Sequence, residues 1–296
     1  MTSVTRPIVR YHGGKWKLAP WIIAHLPNHR VYVEPFGGAA SVLLRKPRSY
    51  AEVYNDLDGD IVNLFRIVRD HGAELLAKLQ ATPFARAEFV DAWLPTDDDM
   101  ERARRSVVRA FMGFGSAAVS MRRNACGNVH GGVPSTGFRS NSTRSGTTPA
   151  GDWANYPAAL SAIIQRLQGV VIENRDALDI MRQHDGDTTL HYVDPPYVAA
   201  TRDAGDDYAV EMSDGDHARL ADVLRGLRGR VVLSGYRSDL YDDLYADWHR
   251  IEKAAHADGA RPRVECLWLS PSCDHQGELF AWSHNGSTSP ALCTNG

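Results

Sequence analysis

The sequence predicts an α/β protein built on a doubly wound, mostly parallel sheet with helices on both faces, interrupted once by an inserted module. Two observations lead to this fold class. Short apolar segments alternate with segments whose apolar residues recur at helical spacing, which is typical of strands joined by crossover helices. Between residues 113 and 151 this alternation stops, and Gly, Ser, Thr and Asn dominate without a sustained period. A non-periodic stretch of that length is usually functional or disordered.

The first half of the alternation contains two predicted strands. VYVE at 31–34 is followed by a glycine pair and the start of a helix, and AEVY at 51–54 leads into a helix with apolar residues at 3.6-residue spacing. Residues 86–112 are predicted to be helical with a break near Pro95, because proline disrupts a helix interior.

The second half resumes at Tyr156 with a helix to about Leu167. Ser213, with Asp216 three residues later, predicts a capping box for a helix that reaches about Leu227. The remaining predicted strands are GVVIE at 169–173, the apolar run that ends before Asp194, RVVLSG at 230–235 and VECLWLS at 264–270.

These assignments predict the domain organisation. Residues 1–75 and 155–285 are expected to form the α/β core, residues 76–154 the inserted region and residues 286–296 a disordered tail. No apolar run is long enough for a signal peptide or a membrane span, so we expect a soluble, cytoplasmic protein. The four cysteines form no C-x-x-C pair and no zinc spacing, which predicts free thiols and no metal site.

Charge is distributed unevenly along the chain. The whole protein is at -3, but residues 102–151 contain eight arginines and no Asp, Glu or Lys, so that segment is +8 and the remainder -11. Such asymmetry favours contact with a polyanion by one part of the molecule. The guanidinium fork suits phosphates and guanine edges, so nucleic acid is the predicted partner. A solvated arginine-rich helix followed by a loop is the alternative.

Two peptides follow predicted strands at the position where doubly wound sheets bind ligands. The first, EPFGGAAS at 34–41, is neither G-x-G-x-x-G nor a Walker loop, which disfavours bound pyrophosphate or triphosphate. Asp56, after the second strand, stands where dinucleotide folds place the acid that bonds a ribose hydroxyl. A ligand with a ribose and no phosphates fits both facts. S-adenosylmethionine is one such ligand, and its sulfonium cation suits the acidic surroundings of Glu34, Asp56 and Asp194.

The second peptide is DPPY at 194–197. An exocyclic aromatic amine such as adenine N6 is a poor nucleophile, because its lone pair is delocalised into the ring. Two fixed acceptors, the Asp194 carboxylate and the Pro195 carbonyl, can hold both N–H hydrogens and favour the pyramidal nitrogen needed for attack. The prolines fix φ and remove backbone donors, and Tyr197 offers a face for base stacking. The alternative is a proline-terminated strand with a rim tyrosine.

Four motifs occur in the order RYHGGKWKLAPWI, EPFGGAASVLL, YNDLDGDIVNLF and DPPY. Together they resemble the motifs of Dam-like (D12 class) adenine-specific DNA N6-methyltransferases, with Ala40 in place of the usual second glycine of the donor loop. The resemblance implies a Rossmann-like S-adenosylmethionine-dependent methyltransferase sheet, no metal, and an enzyme of a bacterial or phage-infected cell. The residues it assigns to the methyl donor are Tyr11, Lys15, Glu34, Phe36, Gly38, Asp56 and Asp194. Those it assigns to catalysis on the target base are Asp194, Pro195, Pro196 and Tyr197.

The implied reaction is methyl transfer from S-adenosylmethionine to N6 of a flipped-out adenine in duplex DNA, because a stacked and paired base cannot reach the crevice. The arginine-rich region is then expected to contact phosphates and to read flanking bases in the major groove. No membrane or obligatory protein partner is expected. The DNA-binding candidates are Arg122, Arg123, Asn124, Asn128, Arg139 and Asn141.

Two other functions remain open from the sequence. The first is methyl transfer to cytosine N4 of DNA or guanine N2 of RNA; Asp194 disfavours cytosine, since Ser commonly begins the motif of N4 enzymes, and the large basic insertion disfavours RNA. The second is a catalytically degenerate DNA-binding protein, which Ala40 allows and the intact DPPY and Asp56 disfavour.

Overall fold

The computed structural model describes residues 3–115, 134–140, 147–201, 211–256 and 262–273. Within these ranges seven strands form a sheet. The strands are β1 Val31–Glu34, β2 Ala51–Asn55, β3 Val170–Glu173, β4 Thr189–Val193, β5 Arg230–Tyr236, β6 His249–His256 and β7 Pro262–Leu269. Their order in the sheet is β3-β2-β1-β4-β5-β7-β6.

The sheet is parallel from β3 to β5 and antiparallel at its β6–β7 end. Val33 of β1 lies opposite Val53 of β2 on one side and His191 of β4 on the other. From β1 the chain first adds strands in one direction and later, starting with β4, in the other. The strand order therefore reverses between β1 and β4, which is where a doubly wound sheet opens a ligand crevice.

Helices cover both faces of the sheet. They are α1 Ala19–Ala24, α2 Ser41–Arg45, α3 Gly59–Asp70, α4 Gly72–Ala81, α5 Arg86–Asp91, α6 Asp99–Met112, α7 Pro149–Leu167, α8 Ala177–Gln183, α9 Asp214–Gly226 and α10 Asp239–Leu244. Helices α3, α4, α6 and α7 pack against one another, while α9 contacts α8 and α10. None of the helices in the described ranges combines the length and apolarity that a membrane span needs.

Alternate residues of the strands belong to two separate cores. Tyr192 and Val232 pack with the α3, α4, α6 and α7 side, whereas Val193 and Leu233 pack with the α8, α9 and α10 side. Successive strand side chains point to opposite faces, so apolar residues at every position bury both faces of the sheet. The predicted doubly wound α/β fold is confirmed.

Several element predictions are confirmed and two need correction. The capping box at Ser213 is present, with both of its reciprocal hydrogen bonds. The helix predicted to begin at Tyr156 begins at Pro149, where the Thr148 side chain accepts the Gly151 N–H and caps it. Glycine and proline near this start obscured the helical period, although proline is favoured in the first turn. Strand β6, rich in charged residues, was not predicted, because an edge strand need not be apolar.

The arginines of α6 are largely balanced by acids inside the protein. Arg104 bonds both Glu88 and Glu101, at 2.8 and 2.7 Å. Arg105 also bonds Glu101, and Arg109 is 1% exposed and donates to a backbone carbonyl. Half of the +8 charge counted from the sequence lies in α6. Most of that half is used in ion pairs and hydrogen bonds within the protein. The predicted boundaries of the inserted region fall inside α4 and α7, and the domain division stays a prediction.

Candidate active site

A cleft opens at the carboxyl ends of β1 and β4, where the strand order reverses. Its walls come from the amino-terminal segment, the β1–α2 turn, the β2–α3 turn and the peptide after β4. Four sequence motifs far apart in the chain therefore meet at one place. The predicted residues that line the cleft are Tyr11, Lys15, Glu34, Phe36, Gly38, Asp56, Asp194, Pro195 and Pro196.

The β1–α2 turn is closed by contacts that leave no room for larger side chains. The Gly37 N–H donates to Asn55 O at 2.8 Å, and the Tyr54 hydroxyl donates to Gly38 O at 2.8 Å. A Cβ on Gly37 would lie 2.2 Å from a ring carbon of Tyr54. Gly38 has φ +46°, and a Cβ there would lie 2.9 Å from the Tyr11 ring. Both positions therefore need glycine to accommodate the two tyrosine rings, and both glycines line the cleft.

Ala40 has the left-handed conformation, with φ 51° and ψ 40°, at the start of α2. It is the one non-glycine residue with positive φ in the described ranges. The departure from the family's glycine at this position therefore falls where glycine would have the lowest backbone energy. Alanine retains the conformation with its methyl group fully buried.

Asp56 closes the turn from the side of β2. Its carboxylate accepts the N–H groups of Gly38 and Asp58, both at 2.8 Å. Desolvation raises the pKa of Asp56 to about 6, although the backbone hydrogen bonds oppose the rise. The carboxylate is thereby held rigidly at the cleft wall, oriented for a hydroxyl or a cation.

Glu34, the last residue of β1, is 2% exposed. Its Oε2 accepts hydrogen bonds from the Tyr32 hydroxyl at 2.7 Å and from the Leu43 N–H at 2.9 Å. Burial raises its pKa to about 8, so without a bound cation the carboxyl group is mostly protonated at neutral pH. A cationic ligand in the cleft would favour the ionised form.

Asp194 follows β4 directly and is held by two groups on one of its oxygens. Oδ1 accepts the Ser234 hydroxyl at 2.7 Å and lies 3.0 Å from Lys15 Nζ. Lys15 Nζ also donates to Gly13 O at 2.8 Å, and the Ser234 hydroxyl lies 3.2 Å from that of Tyr192. Among the described residues no hydrogen bond reaches Oδ2, which leaves that oxygen for a substrate N–H.

Tyr197 lies behind the cleft wall. It is 5% exposed, and its hydroxyl donates a hydrogen bond to Glu265. Its ring meets Tyr236 edge to face, with centroids 4.6 Å apart, and Lys15 Nζ lies 4.6 Å from the ring centroid. The structure thus brings three residues of DPPY to the cleft and buries the fourth beside them.

Sequence reasoning missed three contributors to this site. Ser234 holds Asp194, Glu265 holds Tyr197, and Met212 lines the cleft. Ser234 and Glu265 lie in the apolar strands β5 and β7. A polar residue inside an apolar strand is the signal that could have identified both, since buried polar groups need partners.

Comparison with known proteins identifies the family. A family model described as "D12 class N6 adenine-specific DNA methyltransferase" matches residues 11–258. The chain belongs to this family. It is an adenine-specific DNA methyltransferase, as the resemblance of its motifs predicted.

Two relatives of this D12-class enzyme are distant but matched over most of their length, and a third is matched over a short segment. The type II methyltransferase M1.LlaDCHI of Lactococcus lactis subsp. cremoris is 25% identical over 284 residues, which covers 86% of this chain and 90% of the relative. The DNA adenine methylase of Escherichia coli K12 is 24% identical over 250 residues, covering 81% and 84%. That of Serratia marcescens is 38% identical over 64 residues, covering 22% and 23%.

The DNA-binding candidates are only partly placed by the structure. Arg139 donates to Phe111 O at 2.9 Å, lies 3.8 Å from Asp152 and has a side chain 13% exposed. Arg6 and Arg10 donate to the same Asp152 carboxylate. Arg139 thus joins the end of α6 to α7, where Asp152 also binds the amino-terminal segment. The other candidates, which lie outside the described residues, are Arg122, Arg123, Asn124, Asn128 and Asn141.

The described ranges contain no group of three or more His, Cys, Asp or Glu side chains arranged to hold a metal ion. The predicted tail, residues 286–296, also lies outside the described ranges.

Proposed function

We propose that this D12-class methyltransferase binds S-adenosylmethionine in the cleft and transfers its methyl group to N6 of an adenine flipped out of duplex DNA. The observation on which this rests is the arrangement of Asp194. One of its oxygens is fixed by Ser234 and Lys15, and the carboxylate faces a cleft whose other wall is a bare glycine turn flanked by two acids.

The residues on the donor side fit S-adenosylmethionine. Gly37 and Gly38 line the cleft and have no side chains of their own to fill it, and the Tyr11 ring packs against Gly38. Asp56 offers an acceptor for ribose hydroxyls, and Glu34 supplies negative charge close to a cation. Phe36 and Tyr11 add aromatic surface to the same cleft. When bound, the cofactor supplies a methyl group already activated by its sulfonium, so the protein has only to position the acceptor amine.

On the acceptor side, Asp194 Oδ2 and the Pro195 carbonyl hold the two N–H groups of the adenine amine. Holding both hydrogens directs the nitrogen lone pair out of the ring plane, towards the methyl group. After transfer the nitrogen loses one proton, and the carboxylate that accepted its hydrogen bond is placed to receive it. Pro195 and Pro196 keep the acceptors fixed because their φ angles are locked.

Stacking of the base on Tyr197 requires one face of that ring to become accessible, because only 5% of the residue is exposed here. Pro196 and Phe36 already line the cleft and offer apolar contact beside Asp194. The arginine-rich region supplies the phosphate contacts and base readout, and flipping the base costs a few kcal/mol that these contacts offset.

The test is incubation of the protein with methyl-labelled S-adenosylmethionine and unmodified genomic DNA, followed by separation of the nucleosides. We expect the label in N6-methyladenine. Asp194→Ala should abolish transfer while donor binding persists, and Asp179→Ala, on an exposed residue of α8 with 58% side-chain exposure, is the matched control. Label in N4-methylcytosine, or in RNA guanine, would replace the adenine assignment. Donor binding without transfer to any nucleic acid would indicate a degenerate core.

A further inference from the structure

Glu265 is a buried carboxylate within the apolar run at residues 264–269 of β7. It is 2% exposed, lies in β7 and is paired across the sheet with Tyr236 of β5. A charged group in such a position costs free energy unless partners compensate for its lost hydration. A hydrophobic residue would fill the same place in the strand without that cost, so the contacts of the carboxylate define what it does.

Those contacts link Glu265 to both ends of the DPPY peptide. Its Oε1 accepts the Tyr197 hydroxyl and lies 3.8 Å from Lys15 Nζ. Lys15 Nζ in turn lies 3.0 Å from Asp194 Oδ1 and 4.6 Å from the centre of the Tyr197 ring. Glu265, Tyr197 and Lys15 therefore form a closed ring of contacts, and Asp194 joins this ring through the Lys15 ammonium group.

The closed ring restricts the motion of Tyr197. The Glu265 hydrogen bond fixes the phenol oxygen, Lys15 lies against the ring, and Tyr236 meets the ring at an interplanar angle of 73°. With its hydroxyl fixed, the tyrosine cannot rotate without breaking a buried charge-assisted hydrogen bond. Since Tyr197 and Asp194 are the two ends of one tetrapeptide, the orientation of one end constrains the other.

We propose that Glu265 is a positioning residue for methyl transfer: it orients Tyr197, and through the shared Lys15 it fixes the Asp194 carboxylate relative to that ring. The inference rests on the function proposed above for Asp194. Glu265 is not among the residues that line the cleft, so its effect on the reaction passes through Tyr197 and Lys15.

The titration behaviour of the carboxyl group agrees with these contacts. Burial raises the pKa of Glu265, while Lys15 and the Tyr197 hydroxyl oppose the rise because both favour the ionised form. The charge of Asp194, a second carboxylate beside the same ammonium group, raises the pKa of Glu265 further. Lys15 thus partly neutralises two acids.

The first experiment compares Glu265→Gln with Glu252→Gln. The second substitution makes the same chemical change on the neighbouring strand β6, at a residue with a side chain 46% exposed. We expect Glu265→Gln to lower kcat about tenfold or more, with the donor KM and DNA KM changed less than about threefold, because misplacement of reacting groups affects the chemical step. Glu252→Gln should leave kcat and both KM values unchanged.

The second experiment tests the route through Tyr197. Tyr197→Phe retains the ring and removes the hydroxyl that donates to Glu265, so this variant should also lower kcat. In the Tyr197→Phe background, Glu265→Gln should then lower kcat by a clearly smaller factor than in the wild-type background. Equal factors in the two backgrounds would show that Glu265 does not act through Tyr197.

The outcomes separate this inference from the function on which it rests. If Asp194→Ala abolishes transfer while Glu265→Gln keeps kcat within twofold of wild type, Glu265 is not a positioning residue and the proposed function stands. If the label enters a base other than adenine, the proposed function fails, but the ratio of rates for the Glu265 variants is still measured on that base. If Glu265→Gln is too unstable to assay, a wild-type rate for Tyr197→Phe overturns the inference.

Discussion

Gly38→Ala tests the donor side of the cleft, because the structure gives both parts of its cost. At φ +46° an alanine adopts the left-handed conformation, which costs about 1 kcal/mol relative to glycine. The new Cβ would also lie 2.9 and 3.1 Å from two Tyr11 ring carbons, so the ring must shift. Tyr11 lines the cleft, and its displacement should weaken donor binding about tenfold, equivalent to about 1.4 kcal/mol.

Calorimetric titration with S-adenosylmethionine and urea unfolding measure the two effects separately. Gly37→Ala is the contrasting variant, because its Cβ would lie 2.2 Å from Tyr54, whose ring stacks on Phe65 in the core. That variant should lose stability first, whereas Gly38→Ala should remain folded and bind donor weakly. Gly226→Ala, with no atom within 4 Å of its Cβ, is the neutral control. Wild-type donor affinity in Gly38→Ala would refute the placement of the donor against this turn.

Three further predictions concern buried ionisable groups. Burial lowers the pKa of His191 to about 4, so on acidification the imidazole is protonated in the unfolded chain before it is protonated in the folded one. The free energy of unfolding should therefore fall by up to about 3 kcal/mol as the pH drops from about 6.5 to about 4. His191→Phe should remove this part of the pH dependence in urea unfolding. Glu34, with its pKa raised to about 8, should release a proton when the cationic donor binds at neutral pH, seen as a binding enthalpy that varies with the buffer. The side chain of Glu52 is 3% exposed and pairs with both Lys46 and Arg166. Lys46→Met removes one of these two cations, so it should lower the free energy of unfolding by about 3 kcal/mol.

Each of these three predictions can be contradicted by one result. Parallel pH profiles for wild type and His191→Phe would mean that the buried imidazole does not titrate differently in the unfolded chain. A buffer-independent enthalpy would mean that Glu34 is already ionised before the donor binds. Unchanged stability in Lys46→Met, matched to Arg182→Met on an exposed ion pair, would mean that Glu52 needs only Arg166.

The part of the site that the sequence predicted depends on local signals. A strand that ends in Asp194 and a glycine turn that follows Glu34 are each visible within about ten residues, and parallel strands bring their carboxyl ends to one edge. Because the order of strands reverses at β1 and β4, the two signals meet in one cleft. Of the nine predicted residues that line the cleft, Asp56 and those of the two peptides were found in this way, whereas Tyr11 and Lys15 came from the resemblance of the motifs to a known family.

The remainder depends on contacts between distant segments, which have no local signal. Glu265 reaches Tyr197 only because β7 enters the sheet between β5 and β6, antiparallel to both. Likewise, Arg104 is paired with Glu88 of α5, outside the arginine-rich segment counted from the sequence. Charge counted along a chain omits partners that the fold supplies.

The ring of contacts at Lys15 has a consequence for the order in which the protein folds. Lys15 and Glu265 lie far apart in the chain, yet the two side chains meet beside the DPPY peptide. Contacts between such distant positions form late and slowly, because a long loop must close first. A folding intermediate in which β7 has not yet paired with β5 therefore lacks the hold on Tyr197, and methyl transfer should begin only after this strand has joined the sheet.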